Sequence, residues 1–217
     1  MKLVFLDRDG VINRFPGNGN YVTRVKNFHF LPGALEAIRK LTEHGYTIFV
    51  ISNQAGVGKG IFTEAKLNQI TSKMLREIRK RGGRIKRVFY STSRSDAGCE
   101  FRKPNIGSVK RAMQIMNKNM VTAKKGYFVG DTQIDVQAGH NAGCKTIFVL
   151  SGREDISYLK SKWTVEPDYI AKDLMDATEV ILGLNGNGKS ERILKKKRII
   201  LTPAVQKMRK AHRAKAI

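Results

Sequence analysis

Strand-length apolar segments alternate with amphipathic segments of helix length along most of this chain. The strand candidates are 3–6, 46–51, 85–90, 126–129 and 145–150, with a shorter one at 168–170. The helix candidates between them are 32–44, 63–81, 105–117 and 132–143. This alternation predicts an α/β fold in which a doubly wound parallel sheet carries helices on both faces. We expect the strand order 3-2-1-4-5, with the first strand in the centre.

Polar residues follow the predicted strands at the positions where a ligand site would form. They are Asp7 and Asp9 after the first strand, Ser52 after the second, Lys103 in the loop after the third, and Asp131 after the fourth. Open α/β sheets bind their ligands at the carboxyl ends of the strands. The sequence therefore predicts that these five side chains gather at one edge of the sheet.

Asp7 and Asp9 are the most informative of these residues. Alternate strand residues face opposite sides, so both carboxylates are expected on one side and Arg8 on the other. Two neighbouring carboxylates favour a hard cation such as Mg²⁺, and one can attack an electrophile while the other transfers a proton. The alternative interpretation is a turn that closes the strand at Gly10.

Four motifs together carry a resemblance to a known family. They are Leu6–Asn13 (LDRDGVIN), Ser52–Gln54 (SNQ), Arg102–Pro104 (RKP) and Gly130–Asp131 (GD). In this order they resemble the four motifs of the haloacid-dehalogenase-like (HAD) phosphatases, over residues 1–184. The phrases SNQAGV, RKP and GDTQIDVQAGHNAGC are most similar to the branch that holds D,D-heptose 1,7-bisphosphate phosphatase and histidinol phosphatase. The segments 10–31 and 91–101 are too short to form the separate cap domain that many such enzymes carry.

The resemblance implies catalytic roles for four matched residues. Asp7 would be the nucleophile that takes the phosphoryl group as an aspartyl-phosphate. Asp9 would protonate the leaving alcohol and then act as base on the attacking water. Ser52 and Lys103 would stabilise the transferring oxygens, in keeping with a reaction that asks the protein mainly to position groups and neutralise charge.

The resemblance also implies a metal and a set of substrate contacts. Mg²⁺ would be held by the Asp7 carboxylate, the Asp9 backbone carbonyl and Asp131. The implied substrate-binding residues are Arg102, which would help to recognise the substrate, and Asn53, Gln54 and Thr132, which would line the site. Asp135 lies one helical turn beyond Asp131, where it would either act in the outer metal shell or cap the helix.

One loop departs from the pattern of this branch. Its members usually carry a zinc loop of three cysteines and one histidine just before the Arg-Lys-Pro motif. Only Cys99 remains in the corresponding stretch, 90–102. A single thiolate cannot build a four-ligand structural site, so we predict no structural zinc.

Charge divides the chain into two parts. The net charge is +23, and residues 185–217 contain eleven Lys or Arg against one Glu. We therefore expect a phosphatase domain over 1–184 and a basic C-terminal tail over 185–217, with a further helix over 204–215. The tail is expected either to remain solvated or to contact nucleic acid or another polyanion non-specifically. With two cysteines and no signal-peptide or membrane-spanning pattern, a cytoplasmic location is expected.

Three hypotheses about function follow. The first is a Mg²⁺-dependent phosphomonoester hydrolase acting on a small metabolite, either a sugar bisphosphate such as D,D-heptose 1,7-bisphosphate or histidinol phosphate. The second is a phosphatase that acts on nucleic-acid ends and uses the tail as a tether. The third is a non-catalytic protein that binds an anionic partner.

Overall fold

A seven-stranded parallel sheet forms the centre of the computed structural model, which describes residues 1–94, 98–153, 164–183, 200–203 and 205. The strands are β1 (Lys2–Leu6), β2 (Tyr46–Asn53), β3 (Arg87–Ser91), β4 (Tyr127–Gly130), β5 (Lys145–Val149), β6 (Tyr169–Ala171) and β7 (Ile200–Leu201). Their spatial order is β3-β2-β1-β4-β5-β6-β7. The predicted order of the first five strands is therefore confirmed, and two strands extend the sheet beyond β5.

Helices cover both faces of this sheet. They are α1 (Ala34–Glu43), α2 (Ala55–Gly58), α3 (Glu64–Lys80), α4 (Gly107–Ile115), α5 (Met120–Ala123), α6 (Gln133–Asn141) and α7 (Leu174–Leu182), with a 3-10 turn at Val25–Asn27. The segments 7–33 and 92–106 hold no domain of their own in their described residues. No helix in the described part of the chain is long and apolar enough to span a bilayer.

Alternate side chains of β1 enter two different apolar cores, as expected for a strand covered on both sides. Val4 and Leu6 pack in the cluster that includes residues of α1, α3 and α7. Leu3 and Phe5 pack in the cluster with residues of α4, α5 and α6. All four side chains are fully buried. Strand β1 is thereby fixed from both faces, which fixes the position of the residues that follow it.

Two helix starts show the capping that their sequences indicate. The Thr63 side chain accepts a hydrogen bond from the Lys66 backbone N–H at the start of α3. The Asp173 side chain accepts one from the Asp176 N–H at the start of α7. Such caps satisfy backbone donors that have no partner within the helix.

Part of the sequence that follows residue 184 lies against the sheet. Strand β7 pairs in parallel with β6, and Val205 is fully buried in an apolar cluster with Phe148 and Ile170. The Thr202 hydroxyl donates a hydrogen bond of 2.6 Å to Asp176 Oδ2. Apart from Val205, the helix predicted over 204–215 lies outside the described residues.

Candidate active site

Three carboxylates converge at the carboxyl edge of the sheet. Asp7 follows β1, Asp131 follows β4, and Asp135 lies in the first turn of α6. One carboxylate oxygen of each lies within 4.8 Å of the others, and all three residues are buried. The structure thus brings Asp7 and Asp131 together as predicted. It places Asp135 beside them, a residue for which the sequence predicts either an outer metal-shell role or a helix cap.

Lys103 supplies the compensating charge. Its Nζ lies 2.7 Å from Asp7 Oδ1 and 2.5 Å from Asp135 Oδ1. Asn53 fixes the backbone of Lys103 from the end of β2, because its side chain accepts from the Lys103 N–H at 3.0 Å and donates to the Lys103 carbonyl at 3.1 Å. The lysine is therefore positioned by the second strand as well as by its own loop.

Burial dominates the electrostatics of this cluster. It raises the pKa of Asp7 to about 6; Lys103 opposes this shift, and the charges of Asp135 and Asp9 add to it. Burial also raises the pKa of Asp131 well above its usual value, assisted by Asp135 and Asp7. For Lys103 burial acts to lower the pKa, but the two carboxylates outweigh it and the net shift is upward. One ammonium among three carboxylates leaves negative charge that a further cation would stabilise.

The oxygens available at the centre suit such a cation. Lys103 engages Asp7 through Oδ1, and the Arg153 backbone N–H engages Asp131 through Oδ2 at 2.7 Å. Among the described residues, no donor contacts the other oxygen of either carboxylate. Carboxylate oxygens at this density are the donor set that Mg²⁺ uses in proteins, so the residues fit the ion.

Asp9 lies in a separate network at the same edge. Its carboxylate accepts two hydrogen bonds from Arg8 Nη2, at 3.0 and 2.8 Å, and one from Arg8 Nε at 3.2 Å. The side-chain amides of Asn13 and Gln54 each donate to it at 2.8 Å. Because its side chain is engaged in this way, a metal contact from Asp9 would come from its backbone carbonyl, as the resemblance implies.

The first turn of α6 organises the other side of the site. The Asp135 carboxylate accepts from the Thr132 N–H at 3.1 Å and from the Thr132 hydroxyl at 2.6 Å. Asp135 therefore both caps its helix and reaches Lys103. Neighbouring backbone packs closely around Asp131, since a Cβ at Gly152 would lie 2.0 Å, and one at Gly10 2.2 Å, from Asp131 Oδ2.

A cavity of about 190 Å³ opens above these groups. Of the residues proposed from the sequence, its lining includes Asp7, Asp9, Ser52, Asn53, Arg102, Lys103, Asp131 and Thr132. Gln54 is instead fully buried, and its amide nitrogen donates hydrogen bonds to the Asp9 carboxylate and to Ser52 Oγ. Sequence reasoning missed Arg153 and the aromatic residues Phe15 and Tyr21 in the lining. It also missed Asn13, although this residue ends the first motif and so carried a signal.

Comparisons with known proteins agree with this geometry. A HAD-hydrolase-like family model matches residues 100–177. The D-glycero-β-D-manno-heptose-1,7-bisphosphate 7-phosphatase of Neisseria meningitidis is 35% identical over 153 residues, which cover 70% of this chain and 79% of that protein. The D-glycero-D-manno-heptose-1,7-bisphosphate 7-phosphatase of Chlorobaculum tepidum is 34% identical over 192 residues, covering 84% and 95%.

A solved structure shows the same likeness in three dimensions. The crystal structure of D,D-heptose 1,7-bisphosphate phosphatase from Bordetella bronchiseptica, complexed with magnesium and phosphate, superposes with a TM-score of 0.74 at 31% identity. It covers 85% of this chain and 99% of that one. The chain belongs to the HAD-like hydrolase family, among its phosphatases. Within that family it is similar to heptose bisphosphate phosphatases, so the resemblance found in the sequence is confirmed.

Proposed function

We propose that this protein is a Mg²⁺-dependent phosphatase that removes one phosphate from a sugar bisphosphate of the heptose 1,7-bisphosphate class. The observation that carries the proposal is the buried Asp7 carboxylate, which pairs with Lys103 and lies beside Asp131 and Asp135 in the lining of the cavity. The similarity to phosphatases of that substrate class supports it.

The proposed reaction has two steps. An Asp7 carboxylate oxygen attacks phosphorus, the bond from phosphorus to the sugar oxygen breaks, and Asp9 delivers a proton to that oxygen. Water then attacks the aspartyl-phosphate and gives a proton back to Asp9, which releases inorganic phosphate and restores Asp7. Both carboxylates line the cavity, as these roles require.

Neutralising charge on the transferring phosphoryl group is the main task of the remaining residues. Lys103 contributes a buried ammonium within reach of the nucleophile, and the Ser52 hydroxyl lies in the cavity wall. Asp7, Asp131 and the Asp9 backbone carbonyl would hold Mg²⁺, with Asp135 beside them. When bound, the ion supplies Lewis-acid stabilisation of the phosphoryl oxygens.

Two arginines favour a substrate with a second phosphate. Arg102 and Arg153 both line the cavity, and they are half-buried and exposed respectively, whereas Asp7, Lys103 and Asp131 are buried. Guanidinium groups pair well with phosphate oxygens. A bisphosphate can therefore place one phosphate at Asp7 and the other towards these side chains.

Phosphate release with Mg²⁺ across a substrate panel tests the proposal. The panel contains heptose and hexose bisphosphates, histidinol phosphate, nucleotides and a 3′-phosphorylated oligonucleotide. We expect turnover of a sugar bisphosphate by the natural protein and none by Asp7→Asn, which keeps the shape of the side chain but is a poor nucleophile. Preference for histidinol phosphate would change the substrate class, and turnover in Asp7→Asn would overturn the mechanism.

The basic sequence at the C-terminus supports a second proposal, which concerns partners. We propose that the basic sequence of residues 185–217, which follows a domain of residues 1–184 and returns to its sheet at β7 and Val205, contacts nucleic acid or another polyanion non-specifically. Its support is the excess of ten positive charges in those residues. Preference for the oligonucleotide in the panel would favour a phosphatase of nucleic-acid ends, tethered by this tail.

A further inference from the structure

A second concentration of positive charge lies away from the cleft, within the described part of the fold. Between positions 76 and 87 the chain carries seven Lys or Arg and a single acid, Glu77. All seven basic side chains are exposed. They are Arg76, Arg79, Lys80, Arg81, Arg84, Lys86 and Arg87, and we refer to them as the α3–β3 basic face.

Few of these charges are neutralised within the protein. Glu77 lies 3.2 Å from Arg76 and 3.4 Å from Lys80. Among the described residues no carboxylate lies within ion-pair distance of the other five cations. The negative end of the α3 dipole favours basic residues in the last turn of the helix, but Arg84, Lys86 and Arg87 lie beyond that turn and gain nothing from it.

The backbone that carries this face is held in place. The Gly83 N–H donates to the Ile78 carbonyl at 3.0 Å, the Arg84 N–H to the Thr42 hydroxyl at 3.0 Å, and the Lys86 N–H to the Ile48 carbonyl at 2.8 Å. Gly83 is also packed so closely that a Cβ there would lie 2.9 Å from the Ile38 and Ile78 side chains. The cations are thus displayed on a fixed surface, which lowers the entropy that a partner must offset.

The position of the face separates it from catalysis. Helix α3 runs from the carboxyl edge of the sheet back to the amino end of β3, whose first residue is Arg87. Five residues of β3 at about 3.3 Å each place this edge roughly 17 Å from the edge that holds the cavity. Exposed Lys2, Lys124 and Lys145 lie along the same amino edge. A partner bound here would leave the cleft open.

We propose that the α3–β3 basic face binds the phosphate backbone of nucleic acid without reading sequence. Five of its seven cations are arginines, which can bind phosphate oxygens through two parallel hydrogen bonds. None of the exposed large hydrophobic side chains of the described residues lies between 76 and 87. Helices that bind membrane surfaces combine basic with apolar residues, so a phosphodiester chain fits this face better than a bilayer.

The test compares two full-length variants that lose equal charge. The first replaces four arginines of the face by glutamine: Arg79→Gln, Arg81→Gln, Arg84→Gln and Arg87→Gln. The matched control changes four exposed basic residues elsewhere: Lys66→Gln, Lys110→Gln, Arg111→Gln and Lys118→Gln. Fluorescence anisotropy with a labelled DNA duplex and a labelled RNA strand, over a range of salt, gives affinity and its salt dependence. The tail is identical in all three proteins.

For the duplex, each lost phosphate contact lowers the slope of log affinity against log salt by about 0.9. We expect the face variant to lose a slope of about 3 to 4 and at least about 10-fold in affinity. The control variant should show less than half of the loss in slope and less than half of the loss in affinity. Equal losses in the two variants would overturn the proposal, because they would show a general effect of net charge on a tail-bound complex. Absence of binding by the natural protein would overturn it as well.

Two further measurements keep the result interpretable. Thermal unfolding checks that each variant folds. If the fourfold face variant does not fold, the pair Arg84→Gln and Arg87→Gln replaces it, with the pair Lys110→Gln and Arg111→Gln as its control, and half of the loss is expected. Sedimentation with phosphatidylcholine vesicles containing phosphatidylserine tests the competing surface. Binding to vesicles but not to nucleic acid, lost in the face variant alone, would contradict the assignment.

Discussion

At the scale of single residues, Arg8 shows how the protein directs the carboxylate of Asp9, the proposed general acid. Its guanidinium is fully buried, engages both oxygens of Asp9, and lies over the Tyr90 ring at 5.6 Å. Burial acts to lower the pKa of Arg8, but the interaction with Asp9 acts to raise it, and the net shift is upward. The buried guanidinium therefore stays charged. With Asn13 and Gln54, Arg8 limits the directions in which Asp9 can point.

Replacing Arg8 by methionine should therefore impair Asp9 while Asp7 and Lys103 remain in place. General acid–base catalysis contributes about 10²–10⁴-fold, so misdirection of Asp9 should lower kcat by on the order of 10- to 100-fold. KM should change little, because Arg8 does not line the cavity. Steady-state kinetics on the best substrate of the panel measures both. Arg8→Lys keeps the charge but not the paired hydrogen bonds, so its kcat should lie between those of Arg8→Met and the natural protein. An unchanged kcat in Arg8→Met would exclude the positioning role.

At the scale of elements, the packing of α6 on the sheet sets the position of Asp135. A Cβ at Gly139 would lie 2.6 Å from Thr146 Cγ2 on β5 and 2.7 Å from Phe128 Cβ on β4. Alanine would gain about 1 kcal/mol of helix propensity. The steric cost of overpacking is about 1–3 kcal/mol. Because both contacts are close to backbone and cannot swing aside, we expect the steric cost to exceed the gain.

Gly139→Ala should accordingly lower the thermal midpoint by a few degrees, about 2–4 °C for each kcal/mol in a chain of this size. It should also reduce phosphatase activity, because a helix pushed off the sheet moves Asp135 away from Lys103. Scanning calorimetry and phosphate release measure the two effects. Gln137→Ala in the same helix, at a half-buried position, is the matched control and should stay close to the natural protein. A Gly139→Ala protein that is more stable would show that α6 can shift without cost.

The elements also show what the sequence could and could not predict. The parallel sheet and the gathering of Asp7, Ser52 and Asp131 follow from local periodicity and from the rule that parallel strands present their carboxyl ends at one edge. Strand β7 could not be predicted in this way. It has only two residues, too few for a periodic pattern, and long-range packing brings them to β6. Strand alternation predicts Arg8 on the side away from the aspartates, which is wrong, because β1 ends at Leu6 and the chain bends at Arg8. This bend lets Arg8 reach Asp9.

At the scale of the whole molecule, the carboxylate cluster links global stability to pH and to metal. In the metal-free protein the pKa of Asp7 is about 6, against 3.8 for an ordinary aspartate, and the pKa of Asp131 is also raised. Between about pH 4 and pH 6 the folded state therefore binds more protons than the unfolded state. The free energy of unfolding then falls as pH rises through this window. Below about pH 4 these carboxylates are protonated in both states, and their contribution to the free energy of unfolding is fully present.

Magnesium should reverse this trend, because it binds the ionised carboxylates and must displace their protons. We expect the increase in thermal midpoint on adding Mg²⁺ to be small near pH 5 and larger near pH 7.5, where the ionised cluster otherwise destabilises the fold. Thermal unfolding with excess chelator and with excess Mg²⁺ at each pH measures the difference. In Asp7→Asn, which removes one ligand and one titrating group, both the pH dependence without metal and the Mg²⁺ effect should shrink. An equal Mg²⁺ effect at the two pH values would show that the ion does not bind at these aspartates.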